Sequence, residues 1–97
     1  MSGKHARRAY LERIFELLEQ PRGADIHARA LVVVAKWENV AGADPRHIQR
    51  WRALLGGETG AMRRSVMADT PEGAELRHWM PFAGVLSNRE RSELRAR

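Results

Sequence analysis

Apolar residues recur at three- and four-residue spacing along most of the chain, the period of an amphipathic helix, and never alternate as a half-buried strand would require. Tyr10, Leu11, Ile14, Phe15, Leu17 and Leu18 form one broad apolar face and predict a helix over residues 5–19, ended by Pro21 and Gly23. Ile26, Ala30, Leu31, Val33, Val34, Trp37, Val40 and Ala41 predict a second helix over residues 25–41, with Asp25 as its cap and Gly42 as its terminator. Only a stripe of Asp25, Arg29, Val32, Lys36 and Asn39 on that helix faces water. A helix apolar around most of its circumference is expected at the centre of the fold, wrapped by the others.

Asp44 followed by Pro45 is a helix-start signal, and predicts a third helix over residues 45–55 closed by Gly56-Gly57. Its inner side carries Ile48, Trp51 and Leu55, with Leu54 beside them, and its outer side Arg46, Gln49, Arg50 and Ala53. Thr59 is placed to cap a fourth helix over residues 60–68, with Met62, Val66 and Met67 inward and Arg63 and Arg64 outward. Asp69, Thr70, Pro71 and Glu72 open a fifth helix that carries Leu76, Trp79 and Met80 and stops before Pro81. Phe82-Ala83-Gly84-Val85-Leu86 reads as an apolar connector, and Ser87 with Glu90 as a capping box for a last, highly charged helix to Ala96. The expected fold is all-α. A single domain, residues 1–97, packs five to six short helices around the helix at 25–41, with residues 1–4 and 95–97 flexible.

Length changes this picture little, because 97 residues suffice for one core and one domain. The chain contains no cysteine, which excludes disulfides and thiolate metal sites. Its longest apolar run, residues 30–35, is far short of the ~20 residues that span a bilayer. Glu12, Arg13 and Glu16 interrupt any apolar stretch behind the basic N-terminus, so the expectation is a cytoplasmic protein with no membrane role. Charge is more informative. The net charge is +5, and Lys4 and Lys36 are the only lysines among 17 basic residues. Such basicity points towards polyanions and says nothing about fold. The arginine excess suits phosphate recognition through forked donors, and also follows from GC-rich coding.

The turn between the second and third helices resembles a helix-turn-helix DNA-binding motif over about residues 34–53. Gly42 stands as the turn glycine, Trp37 and Ala41 occupy buried offsets before it, and Ala43, Ile48 and Trp51 occupy buried offsets after it. Glu38 departs from the pattern, which usually carries a small residue there. The resemblance implies that the helix at 45–55 reads duplex DNA, with Arg46, His47, Gln49 and Arg50 as contact residues. Arginine bonds bidentately to guanine and glutamine to adenine, so these side-chain types suit base reading. Arg63 and Arg64, and the N-terminal group Lys4, Arg7 and Arg8, are candidates for added phosphate contacts.

The alternative reading is a non-catalytic protein-interaction or self-associating module. Leu76, Trp79, Met80, Phe82, Val85 and Leu86 crowd one short segment; either they wrap the helix at 25–41 or part of them forms a dimer patch. A homodimer also suits the DNA reading. His5, His27, His47 and His78 lack metal-ligand spacing, so no metal is expected. Trp37, Trp51 and Trp79 lie on apolar faces and read as core rather than base-stacking platforms. The loop at 56–60 lacks the Lys-Ser/Thr ending of a phosphate-cradling loop, and Ser65, Ser92 and His78 have no spacing that suggests a nucleophile with its base. No enzyme activity and no cofactor are expected.

Overall fold

The computed structural model describes the backbone of residues 3–96, with side chains from Ala6 to Ala96. The described residues form six helices and no strand, confirming the all-α expectation. These are α1 (Gly3–Leu18), α2 (Gly23–Trp37), α3 (Pro45–Gly56), α4 (Thr59–Val66), α5 (Pro71–His78) and α6 (Asn88–Arg95). The expected flexibility at residues 1–2 and 97 lies outside the described residues, whereas Gly3, Lys4 and Arg95 belong to helices.

Local chemistry sets most helix starts. Asp44 accepts a hydrogen bond from the Arg46 backbone N–H at 2.9 Å, with Pro45 in the first turn where its missing N–H costs nothing. Thr70 accepts from the Gly73 N–H at 3.0 Å ahead of Pro71. Ser87 and Glu90 form the reciprocal capping box, at 3.1 Å in both directions. Three starts differ from expectation, α1 beginning at Gly3 and not at residue 5. α2 begins at Gly23, after Arg22, so Asp25 sits inside its first turn instead of capping it. α4 begins at Thr59, with Glu58 at the cap position and no side-chain cap bond.

α2 also ends at Trp37, four residues before the expected stop. Beyond it the hydrogen bonds shorten their reach, from Glu38 to Ala35, Asn39 to Lys36 and Val40 to Trp37. Three-residue turns of this kind are tighter and do not propagate. Asn39, Val40 and Gly42 are weak helix formers, and Gly42 takes a left-handed φ of 82° that closes the turn before α3.

The helix at the centre is α1, not the one expected at 25–41. α1 packs against α2, α4, α5 and α6, whereas α2 packs chiefly on α1 and α3. The α1 face of Leu11, Ile14, Phe15 and Leu17 is buried, as expected. α2 buries only one stripe of Ile26, Ala30, Val34 and Trp37. Its other side faces solvent, leaving Leu31 at 42 % exposure and Val32 at 54 %, with Val40 at 50 % in the following turn. The burial expected for Leu31, Val40 and Ala41 is therefore not found, because with α1 and α3 on one side nothing covers the far side.

The segment after α5 takes up the space around the core. Leu76, Phe82, Val85 and Leu86 are buried, and Trp79 and Met80 are half-buried against them. Phe82 meets Phe15 and Trp51 edge-on, with ring centroids 6.3 and 5.6 Å away. Of the two placements expected for the apolar residues at 76–86, packing on the core is the one found for Leu76, Phe82, Val85 and Leu86, while Trp79 and Met80 keep part of their surface accessible. The non-helical backbone here is held by distant side chains. The Tyr10 hydroxyl donates to the Phe82 carbonyl at 2.6 Å and accepts from the Leu86 N–H at 3.3 Å. Arg22 donates to the Val85 carbonyl at 3.2 Å and to Glu90 at 3.0 and 3.3 Å, anchoring α6. That donation, with the Ser87 N–H as second cause, holds the Glu90 carboxyl down at about 2.

The α1–α2 corner depends on a missing side chain. A Cβ on Gly23 would lie 2.1 Å from the Leu18 carbonyl oxygen, inside any allowed contact. Gly23→Ala is expected to lower unfolding stability by about 1–3 kcal/mol in a urea titration, as overpacking does. Gly56→Ala adds a methyl with nothing within 4 Å. It is expected to shift stability upward by under about 1 kcal/mol, through the unfolded chain's lost freedom.

Candidate nucleic-acid interface

α3 has one edge fixed by burial and another facing solvent. The fixed edge carries His47, Ile48, Trp51 and Leu55. Residues 47, 51 and 55 follow at one-turn intervals, so they stack along the helix on one side. Their polar atoms converge on one acceptor. His47 Nε2–H donates to the Trp79 carbonyl at 2.6 Å, and Trp51 Nε1–H donates to the same oxygen at 3.0 Å. This carbonyl lies at the end of α5, where the chain leaves the helix and Pro81 prevents further helical bonding. The His47 ring stacks on Trp79 at 5.0 Å with 8° between planes, and Trp37 of α2 lies 4.7 Å from Trp79 and 5.8 Å from His47.

His47 is therefore not a surface contact residue. It is 8 % exposed and its Nε2 is committed to Trp79. The corrected reading has a sequence signal: His47 is one turn before Trp51 and adjacent to Ile48, which places it at the border of the apolar side. An imidazole there is retained indoors because a buried carbonyl needs a donor.

The opposite edge carries Arg46, Gln49 and Ala53, all exposed, with Arg50 half-buried beside them. The described contacts give Arg46 and Gln49 no side-chain partner. Arg50 lies 3.6 Å from Glu75 of α5, and Arg52 pairs with Glu38 from the turn after α2. The pairing explains the charged residue at position 38, where the helix-turn-helix pattern usually has a small one. Both pairs are solvent-exposed and are worth about 0–1 kcal/mol each. Exchanging either carboxylate for a phosphate costs little, whereas moving His47 or Trp51 removes one of the two hydrogen bonds to the Trp79 carbonyl, at about 0.5–1.5 kcal/mol, and disturbs a packed ring. The inner edge is rigid and the outer edge is adaptable.

The connection from α2 to α3 spans residues 38–44, longer than the roughly three- to four-residue turn of a helix-turn-helix unit. Of the offsets expected to be buried, Trp37, Ile48 and Trp51 are buried, Ala43 is half-buried and Ala41 is exposed. Arg63 and Arg64 stand exposed on α4, which packs on α3. Arg7 is half-buried, and Arg8 reaches the Met67 carbonyl at 3.1 Å, so Arg8 is a structural residue and not a free cation. Lys4's side chain lies outside the described residues.

Sequence reading missed Arg77. It is buried and donates to the Val66 and Ala68 carbonyls at 2.8 and 2.7 Å, closing the end of α4. Desolvation by burial, then the nearby Arg8 charge, draws its pKa below the usual arginine value. Its signal was only its place one residue after Leu76, on the same inward side of α5.

Among the described residues no group of three or more histidine or acidic side chains is arranged to hold a metal ion, and no helix is long and apolar enough to cross a membrane. Comparison with protein-family models, with curated proteins and with solved structures gives no match.

The contrast between the two edges of α3 is measurable. His47→Phe keeps a ring for the stack but removes one of two donors from the Trp79 carbonyl, and is expected to cost about 0.5–1.5 kcal/mol of unfolding free energy. Arg52→Gln breaks an exposed pair and is expected to cost less than about 1 kcal/mol in the same denaturation experiment.

Proposed function

We propose that this chain binds duplex DNA, presenting the outer edge of α3 to the major groove. The observation that carries the reading is the pair Arg46–Gln49, three residues apart on a rigid helix, exposed and without a side-chain partner in the described contacts. A groove about 12 Å wide admits an α-helix, and these two side chains are the types that bond bidentately to guanine and adenine edges. Arg50 and Arg52 flank the ridge. Their exposed ion pairs are weak enough to be traded for phosphate oxygens. The net charge of +5 favours approach to a polyanion at long range. Arg63 and Arg64, exposed on the neighbouring α4, are placed in the phosphate-contact role.

His47 has no part in this reading, since its ring is spent on Trp79. The competing protein-interaction reading loses four of the six residues that motivated it, because Leu76, Phe82, Val85 and Leu86 lie in the core.

Fluorescence anisotropy of a labelled duplex tests the proposal. Affinity is expected to fall with salt, with a slope of log K against log salt near −0.9 per phosphate neutralised. Arg46→Ala and Gln49→Ala are each expected to weaken binding by about 1–3 kcal/mol, with unchanged circular dichroism. Arg63→Ala and Arg64→Ala are expected to flatten the salt slope by about 1 each while weakening all sequences alike. Binding that is insensitive to salt, or unchanged in the Arg46/Gln49 double variant, overturns the assignment.

A further inference from the structure

α1, α6 and the connector before α6 line an open groove of about 350 Å³ whose chemistry differs from the α3 edge. Its floor is apolar, built from Ala6, Ala9 and Tyr10 of α1, Met80, Ala83 and Gly84 of the connector, and Leu94 of α6. Tyr10 contributes its ring alone, because its hydroxyl is engaged by the Phe82 carbonyl and the Leu86 N–H. Among the described residues the wall carries three guanidinium-bearing residues, Arg7, Arg91 and Arg95, and no carboxylate.

That separation of charge is built into α6. The helix has two acidic residues, and both are engaged elsewhere. Glu90 takes Arg22, and Glu93 lies 3.7 Å from Arg89. Arg91 and Arg95 are held instead by neutral acceptors one turn back, Asn88 Oδ1 and, at 3.2 Å, Ser92 Oγ. Each anchor uses one donor of a group that has five. Like charges four residues apart on a helix repel, and Arg7 of α1 adds a third to the same wall. An anion seated among them removes that repulsion, and the apolar floor accepts whatever hydrocarbon the anion carries.

We propose that this groove binds a small amphipathic anion, an apolar body with one carboxylate or phosphate head, with Arg7, Arg91 and Arg95 around the head and Tyr10, Met80 and Leu94 against the body. The volume lies at the small end of ligand sites and holds about a dozen non-hydrogen groups, at about 30 Å³ each. An eight-carbon chain with its head group is of that size. The site is independent of the α3 edge, so its test involves no nucleic acid.

Titration of octanoate and of octyl phosphate into the full chain, followed by amide chemical shifts and calorimetry, tests this. Shifts are expected at Ala9, Gly84 and Leu94. Either anion is expected to bind at least about tenfold more tightly than octanol or inorganic phosphate, the equivalent of about 1.4 kcal/mol. Arg91→Gln with Arg95→Gln is expected to weaken octanoate about tenfold or more and leave octanol unchanged. Ala6→Leu fills the floor with a good helix former and is expected to block octanoate and octanol alike. Equal octanoate affinity in the Arg91/Arg95 variant, shifts confined to other residues, or no shift at millimolar octanoate would each overturn the proposal.

Discussion

The carbonyl of Trp79 is the constraint around which the fold is arranged. Pro81 forbids α5 from continuing, and a helix that stops leaves carbonyls without donors. This one lies beside Trp37 and Trp51 in the interior, where an unmet acceptor is expensive. Two donors from α3 meet it, the His47 imidazole and the Trp51 indole. The bonds join residues far apart in sequence and fix α3 about its own axis. Once His47 and Trp51 point at Trp79, Arg46 and Gln49 point at solvent. The orientation of the proposed DNA-binding edge follows from a backbone group on another helix.

The same device recurs at other helix ends. The end of α3 has the His27 ring against the Leu55 carbonyl, and the end of α4 has Arg77 and Arg8 on Val66, Ala68 and Met67. Arg22 and Tyr10 serve the connector after α5. The six helices of the described residues create many such ends, and distant side chains meet the carbonyls that local turns leave free. This divides the arginines by role. Arg8, Arg22 and Arg77 are structural, Arg50 and Arg52 are loosely paired at the surface, and Arg46, Arg63 and Arg64 project outward. A net charge counts them all equally, so basicity by itself is a blunt guide to the binding surface.

The starts of α3, α5 and α6 were legible because their causes are local. Asp44-Pro45, Thr70-Pro71 and Ser87 with Glu90 each place a side-chain acceptor within three residues of the N–H it caps. The all-α class and the outward placement of Arg46, Gln49, Arg63 and Arg64 were legible from periodicity for the same reason. What periodicity does not encode is which neighbour covers a face. Residues 25–41 look like a centre because Leu31, Val33, Val40 and Ala41 are apolar, yet α2 packs chiefly on α1 and α3 and ends at Trp37. The apolar crowd at 76–86 fits either a core wrap or an exposed patch, and the turns at residues 81–84 carry Phe82, Val85 and Leu86 onto the core. His47 was misplaced because its partner is a backbone carbonyl thirty-two residues away, to which no side-chain pattern points.

The orientation of α3 is tested most directly by hydrogen exchange at the Trp51 indole N–H, followed by NMR in deuterated buffer. Bonded to the Trp79 carbonyl inside the core, it is expected to exchange only through opening events close to global unfolding, among the slowest protons in the molecule. Exchange at the rate of a free indole, with the protein folded, would show that the Trp79 carbonyl does not hold α3. The account of its outer edge would then lose its basis.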